Sequence, residues 1–186
     1  LALLAIITLG VAFFAGIKAA GPDMLDTANQ YYEENNLYDL KVLSTYGLEE
    51  ADIGILAKTA NLAVHPMRTV DIEMEGSDFL VKVFPLQSGA DPVNEYAVVD
   101  GRLPETSGEI ALDAKQNLMD TYQIGDTISF RHESEEGLTE EEMENRISLK
   151  EQEYTVVGFV DSPMYIETMM RGSTNVGKGS LDAFVV

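Results

Sequence analysis

The chain reads as an α+β domain preceded by a membrane-spanning helix, and three observations predict this. The stretch from Leu1 to Ile17 carries no charge, while all 12 Lys and Arg and all 32 Asp and Glu follow it. Between residues 22 and 57, apolar residues recur at helical spacing on both sides of a short alternating run. From residue 70 onward, period-two alternation dominates and glycine turns punctuate it.

The leading segment, LALLAIITLGVAFFAGI, falls just short of the roughly 20 apolar residues that cross a bilayer. It has no leading Met and no basic flank, so residues 1–18 are expected to be the end of a longer first span, with residues 19–186 forming the domain beyond it. Two other readings stay open. A signal peptide would need a positive leading segment and a small-x-small cleavage site, for which Ala15-Gly16 gives only a weak cue. A buried core helix would have to be apolar all the way round, which a chain of this size rarely supplies.

Past Lys18, the pair Gly21-Pro22 is expected to break or redirect the entering helix, with Pro22 in the first turn of a new one. Lys18, Gly21 and Pro22 are then the junction between span and domain. In the next segment Met24, Leu25, Ala28, Tyr31 and Tyr32 share one helical face, and Asn35-Asn36 ends it. Tyr38, Leu40 and Val42 alternate with Asp39 and Lys41 as in a half-buried strand. A helix at 48–57 follows, with acids in its first turn where the dipole favours them. This strand and its flanking helices make an α/β unit.

Val70, Ile72 and Met74, then Phe79, Val81 and Val83, form two alternating runs joined by a Gly76-Ser77-Asp78 hairpin turn. Further strands are expected at 109–112, 127–130, 154–160 and 181–186, with a short helix at 114–122 before an Ile124-Gly125-Asp126 turn. The last strand stops at Val186 with neither cap nor turn, so it too is expected to continue.

Composition excludes several function classes. A net charge of −20 opposes binding to nucleic acid or anionic lipid heads, both of which need Lys and Arg clusters. Zero Cys excludes disulfides, thiolate metal sites and a lipoprotein anchor. Gly172 to Lys178 matches seven positions of a phosphate-binding loop, but Gly179 stands where a magnesium-binding Ser or Thr belongs, and a strand follows where a helix should. A plain loop is the better reading. His65 and His132 have no partner at metal-ligand spacing. No Gly-x-Ser-x-Gly elbow exists, and no carboxylate pair stands out for acid-base work. The Glu-rich segment at 133–145 lacks the alternating ligands and central Gly of a calcium loop, and reads as a solvated insertion. No catalytic, cofactor-binding or metal-binding residue is therefore assigned. Met164, Tyr165, Met169 and Met170 cluster in SPMYIETMMRG, either as packing against a neighbouring strand or as an apolar lip for a partner or amphiphilic substrate.

The order of motifs carries a resemblance across nearly the whole chain. A span runs into a helix, then YDLKVLSTYGL, a helix opening on Glu49-Glu50-Ala51-Asp52, and LAVHPMRTVDIEMEG. Asp100-Gly101-Arg102-Leu103-Pro104 follows, then Gly108 to Leu112, Ile124 to Thr127, and Tyr154 to Val160. Together these resemble the extracytoplasmic domain of MacB/FtsX-like ABC transporter permeases.

That resemblance implies a membrane-proximal α/β lobe plus a β-rich lobe, inserted after the first span of a bacterial permease, with residues from about Lys18 onward outside the cytoplasm. It implies further spans, a separate cytoplasmic ATP-binding subunit that performs all hydrolysis, a second permease copy or homologue, and the lipid bilayer as partners. Members of this family expel peptides, antibiotics or lipoproteins, or transmit force to cell-wall hydrolases. The acidic insertion is no part of the family pattern. A membrane-anchored binding or adhesion module and a membrane-tethered hydrolase are the competing expectations.

Overall fold

The structure, a computed structural model, describes residues 1–44, 47–59, 62–77, 80–87, 92–116, 121–131, 148–165 and 181–186. Its first element, α1, is one helix from Ala2 to Glu34 (33 residues), none of them buried. At 1.5 Å per residue this is about 50 Å long, and the part beyond Lys18 reaches about 24 Å further. The expected break at Gly21-Pro22 does not occur; Pro22 lies inside the helix. Proline's fixed φ suits a helix, and what it removes is one donor, the bond to the Lys18 carbonyl. Lys18 and its neighbours on α1 are exposed, and the good helix formers Ala19, Ala20, Met24 and Leu25 carry the helix across the gap. Within the apolar part, the Thr8 hydroxyl donates to the Leu4 carbonyl at 2.8 Å, so its polar group is satisfied without water.

By length and apolarity α1 is able to cross a membrane. Leu9 and Phe13 are 74% and 70% exposed, a face that lipid rather than protein would cover. Leu9→Arg is expected to destabilise insertion by about 3 kcal/mol and to shift the chain out of carbonate-washed membranes. Unchanged partition of that variant would rule out the span.

The expected strand at Tyr38 to Val42 is absent: residues 37–44 have no regular structure, and Leu40 and Leu43 are 77% and 78% exposed. Alternation makes a strand only where another strand's edge lies alongside to take its hydrogen bonds. Helix α2 (Glu50–Ala57) forms close to the expected bounds, and the Asp52 carboxylate accepts from the Glu49 N–H at 3.0 Å to cap it. No α2 residue is buried, so no α/β unit is assembled among the described residues.

What does assemble is a mixed sheet. Its described strands are β1 (Val70–Glu73), β2 (Leu80–Pro85), β3 (Ala97–Gly101), β4 (Glu109–Asp113), β5 (Thr127–Ser129), β6 (Glu153–Asp161) and β7 (Leu181–Val185). The hairpin β1–β2 is the expected one, in register Val70 to Val83, with Gly76 at φ +76° in its turn. Of the expected helix at 114–122, a 3-10 turn at Ala114–Gln116 is seen, opened by the Asp113 carboxylate accepting from the Lys115 N–H at 2.8 Å; residues 117–120 lie outside the described part. Strand β3 has no counterpart in the sequence reading.

The strand order is β1-β2-β7-β4-β6-β3, with β5 also on β6. Met74, just past β1, bridges Phe130, just past β5. The Glu75 N–H donates to the Ser129 carbonyl at 2.8 Å, and the Arg131 N–H to the Glu73 carbonyl at 2.9 Å. The Arg131 guanidinium also pairs with the Glu73 carboxylate. These links close β1, β2, β7, β4, β6 and β5 into a small barrel, which removes the edge that β1 would otherwise expose. Its interior holds Met74, Val81, Ile110, Leu112, Val156 and Leu181, each 2% exposed or less. A barrel this narrow is filled by side chains and has no lumen.

Outside the barrel wall sits a second apolar cluster of Phe84, Ala111, Val160 and Phe184. Phe84 and Phe184 stack at 5.8 Å, and Tyr96 lies on Phe184 at 4.2 Å between centroids.

A polar clamp holds the turn between β3 and β4. The Arg102 guanidinium grips the Glu109 carboxylate with two donors, and the Glu105 and Thr106 N–H groups donate to the same carboxylate at 2.9 and 3.2 Å. Arg102, then the backbone donors, hold the Glu109 carboxyl down at about 2 against an ordinary 4.5. A depressed carboxyl contributes stability above its unfolded value and loses it as pH falls through the folded one. The difference in Tm between the wild type and Glu109→Gln is therefore expected to hold steady above pH 4.5 and to vanish on acidification to about 2. A gap that does not change over that window would show that the clamp adds nothing.

Candidate functional site: the joint between helix and barrel

The end of α1 is built to stop and to bind. Asn36 takes a left-handed conformation at φ 48°, its N–H donates to the Glu33 carbonyl at 3.3 Å, and the Leu37 N–H donates to the Tyr32 carbonyl at 3.0 Å. This is a Schellman ending with Asn where glycine is more usual; Asn tolerates the conformation better than most residues. The ending frees the Asn35 and Asn36 carbonyls to face outward.

Both carbonyls are taken by one segment between β2 and β3. The Glu95 N–H donates to the Asn35 carbonyl and the Asn94 N–H to the Asn36 carbonyl, each at 2.8 Å. The Asn36 amide donates in return to the Pro92 carbonyl at 3.4 Å and to the Glu95 carboxylate at 3.2 Å. The Asn94 side-chain oxygen accepts from the Tyr38 N–H at 3.3 Å. Asn94 is 3% exposed and is itself left-handed, at φ 58°. Its neighbour Tyr96 is the ring that lies on Phe184, and β3 begins at Ala97. Helix end, outer cluster and sheet thus meet within five residues, 92–96. The last turns of α1 lean the same way: Ala28, Tyr31, Tyr32 and Asn35 are half-buried while the rest of the helix is exposed, an i, i+3, i+4, i+7 stripe.

Beside the joint runs a row of charges. Asp71, Lys82 and Asp182 are register neighbours across β1, β2 and β7, on the outer face of the barrel wall. Lys82 pairs with Asp71 at 2.6 Å. Lys41, from the irregular 37–44 segment, reaches this row; burial, then the Lys82 charge, pushes its ammonium below the ordinary lysine value, with Asp182 opposing. Two acids and two bases thus balance along the row. Burial, with Asp182 next, pushes the Tyr96 phenol up, keeping it neutral.

The residues singled out from the sequence are scattered. Lys18, Gly21 and Pro22 lie on the uninterrupted, exposed part of α1, with the Lys18 ammonium 5.6 Å from the Phe14 ring centroid. Met164 is half-buried against the outer cluster, and Tyr165 is half-buried beside it. Met169, Met170, His132, the 133–145 insertion and the loop at 172–179 lie outside the described residues. His65 is exposed. Among the described residues no three metal-ligating side chains converge. An open groove of about 260 Å³ between Met74, Gly76, Tyr122 and Ile128 is smaller than ordinary ligand pockets.

Asn36, Asn94 and Tyr96, which build the joint, are the candidate site residues that sequence reasoning missed. The available signal was the turn-forming pair Pro92 and Asn94, which marks a bend but does not say what it binds. No protein family, no curated protein and no solved structure matches this chain.

Proposed function

We propose that this chain is the extracytoplasmic part, with the end of the first span, of a MacB/FtsX-like ABC transporter permease. It carries ATP-driven motion from the membrane to an outer domain for export or mechanical signalling. The observation that carries the reading is continuity: one helix of 33 residues runs from an uncharged stretch to a hydrogen-bonded joint on a packed barrel. Such a rod transmits displacement because neither end absorbs it. Coupling of this type needs a packed unit with two arrangements and no chemical site in the moving part.

On this reading the barrel is the β-rich lobe. Residues from about Lys18 onward face away from the cytoplasm, the ATPase is a separate cytoplasmic subunit, and a second permease copy or homologue completes the assembly. A bivalent test decides it. In intact cells, Glu105→Cys, an exposed position in a chain with no other Cys, is expected to react with a membrane-impermeant maleimide, and the full-length protein is expected to co-purify with an ATP-binding subunit. Labelling only after lysis, or purification with no such subunit, would sink the proposal.

A binding or adhesion module is the second reading, favoured by Leu40, Leu43, Ile55 and Leu62, which are 46–78% exposed in one stretch of chain. It requires the same labelling but no ATPase.

A further inference from the structure

We infer that Asn94 is the positioning residue that makes the helix–barrel joint rigid, and that motion of α1 reaches the barrel through Asn36, Asn94 and Tyr96 rather than at Gly21-Pro22. The inference rests on the force-transmitting reading above, and it goes further by naming the point of transmission.

Three features select Asn94 from its surroundings. It bonds on both sides of the helix terminus, donating from its backbone to Asn36 at 2.8 Å and accepting on its side chain from Tyr38 at 3.3 Å. Those two bonds fix the exit direction of the chain as well as the helix end. It is 3% exposed, so water cannot readily replace them. It is left-handed at φ 58°, a conformation disfavoured for most residues, which the surroundings must hold in place. Asn36 faces it in the same conformation at φ 48° and returns bonds to Pro92 and Glu95. Two left-handed asparagines therefore interlock. One is covalently continuous with the rod, and the other is two residues from the ring on Phe184.

Gly21-Pro22, by contrast, is solvent-exposed, and a side-chain carbon at Gly21 would meet nothing within 4 Å. No described residue of the barrel lies against that carbon, so displacement passes along the helix there but is not handed over.

The test uses Asn94→Gly and Asn36→Gly in the full chain, held in nanodiscs. Glycine keeps the left-handed backbone at no steric cost, so each variant removes only side-chain bonds. The absence of other Cys allows spin labels at Asp26→Cys on α1 and Glu105→Cys on the barrel. In Asn94→Gly the distance distribution is expected to widen about twofold, and the Tyr38 amide to exchange about fivefold to tenfold faster, as loss of one net hydrogen bond implies. Near-ultraviolet circular dichroism of the barrel should stay unchanged. An unwidened distribution with unchanged exchange overturns the joint, whatever the protein's function. A loosened joint with ATP-driven transport intact in the assembled complex overturns Asn94 as the transmission point. Failure of the complex to use ATP in the wild type would instead remove the functional reading and leave the joint standing.

Discussion

Replacing Gly158 with Ala is expected to lower stability by about 3 kcal/mol or more, seen as a fall in Tm of about 6–12 °C. In β6, Gly158 pairs with Gly101 of β3, where the register shifts around Asp100. A side-chain carbon at Gly158 would lie 2.2 Å from the Arg102 carbonyl oxygen and 2.8 Å from the Arg102 nitrogen. Both are backbone atoms, so no side-chain rotation relieves the clash. Either β3 leaves β6 or β6 bends, and bending disturbs Val156 and Phe159 on the barrel interior. The Arg102 N–H also donates to the Val157 carbonyl at 3.0 Å, a bond lost if β3 moves. Gly54→Ala is the control: it lies in α2 with nothing within 4 Å, and should raise stability by up to about 1 kcal/mol. A Tm for Gly158→Ala within about a degree of wild type would mean that the β3–β6 approach is not as close as described.

If the proposed permease function holds, inserting four Gly and Ser residues between Ala20 and Gly21 should abolish ATP-driven transport or signalling while the barrel keeps its Tm. The insertion interrupts α1 in its exposed part, and a Gly-Ser stretch behaves as a flexible coil that absorbs displacement. The joint at Asn35 and Asn36 is untouched, so the barrel has no reason to unfold. An insertion of four Ala at the same place extends the rod by about 6 Å and keeps it stiff; it should retain much of the coupling. Full activity with the Gly-Ser insertion would sink the rod mechanism. Loss of activity with both insertions would mean that length or facing matters more than stiffness.

The pattern of what could be read in advance follows from the range of the interactions. The β1–β2 hairpin was legible because Gly76 and the two alternating runs lie within a few residues of one another. Strands β4, β6 and β7 were legible because burial on both faces leaves a near-continuous apolar run such as Val156 to Val160. Strand β3 was not, since all five of its residues are exposed and it ends in Asp100-Gly101. In the other direction, Tyr38, Leu40 and Val42 have strand periodicity and no strand partner among the described residues. Pro22 carries a strong breaking signal, yet at an exposed position the missing bond is tolerated.

The joint was the least readable part of all. Asn36 meets Pro92 and Glu95 across 56 and 59 residues, and no local propensity encodes a contact at that distance. The same holds for the Met74–Phe130 bridge that closes the barrel. The amino-acid order by itself determined the apolar leading helix, its ending at Asn35-Asn36, and most strands, because charge, periodicity and turn chemistry act over a few residues. Tertiary structure alone decided that the sheet closes and that Asn94 receives the end of the helix. Each of those outcomes depends on which distant backbone groups are near enough to exchange hydrogen bonds, and only the folded chain settles that distance.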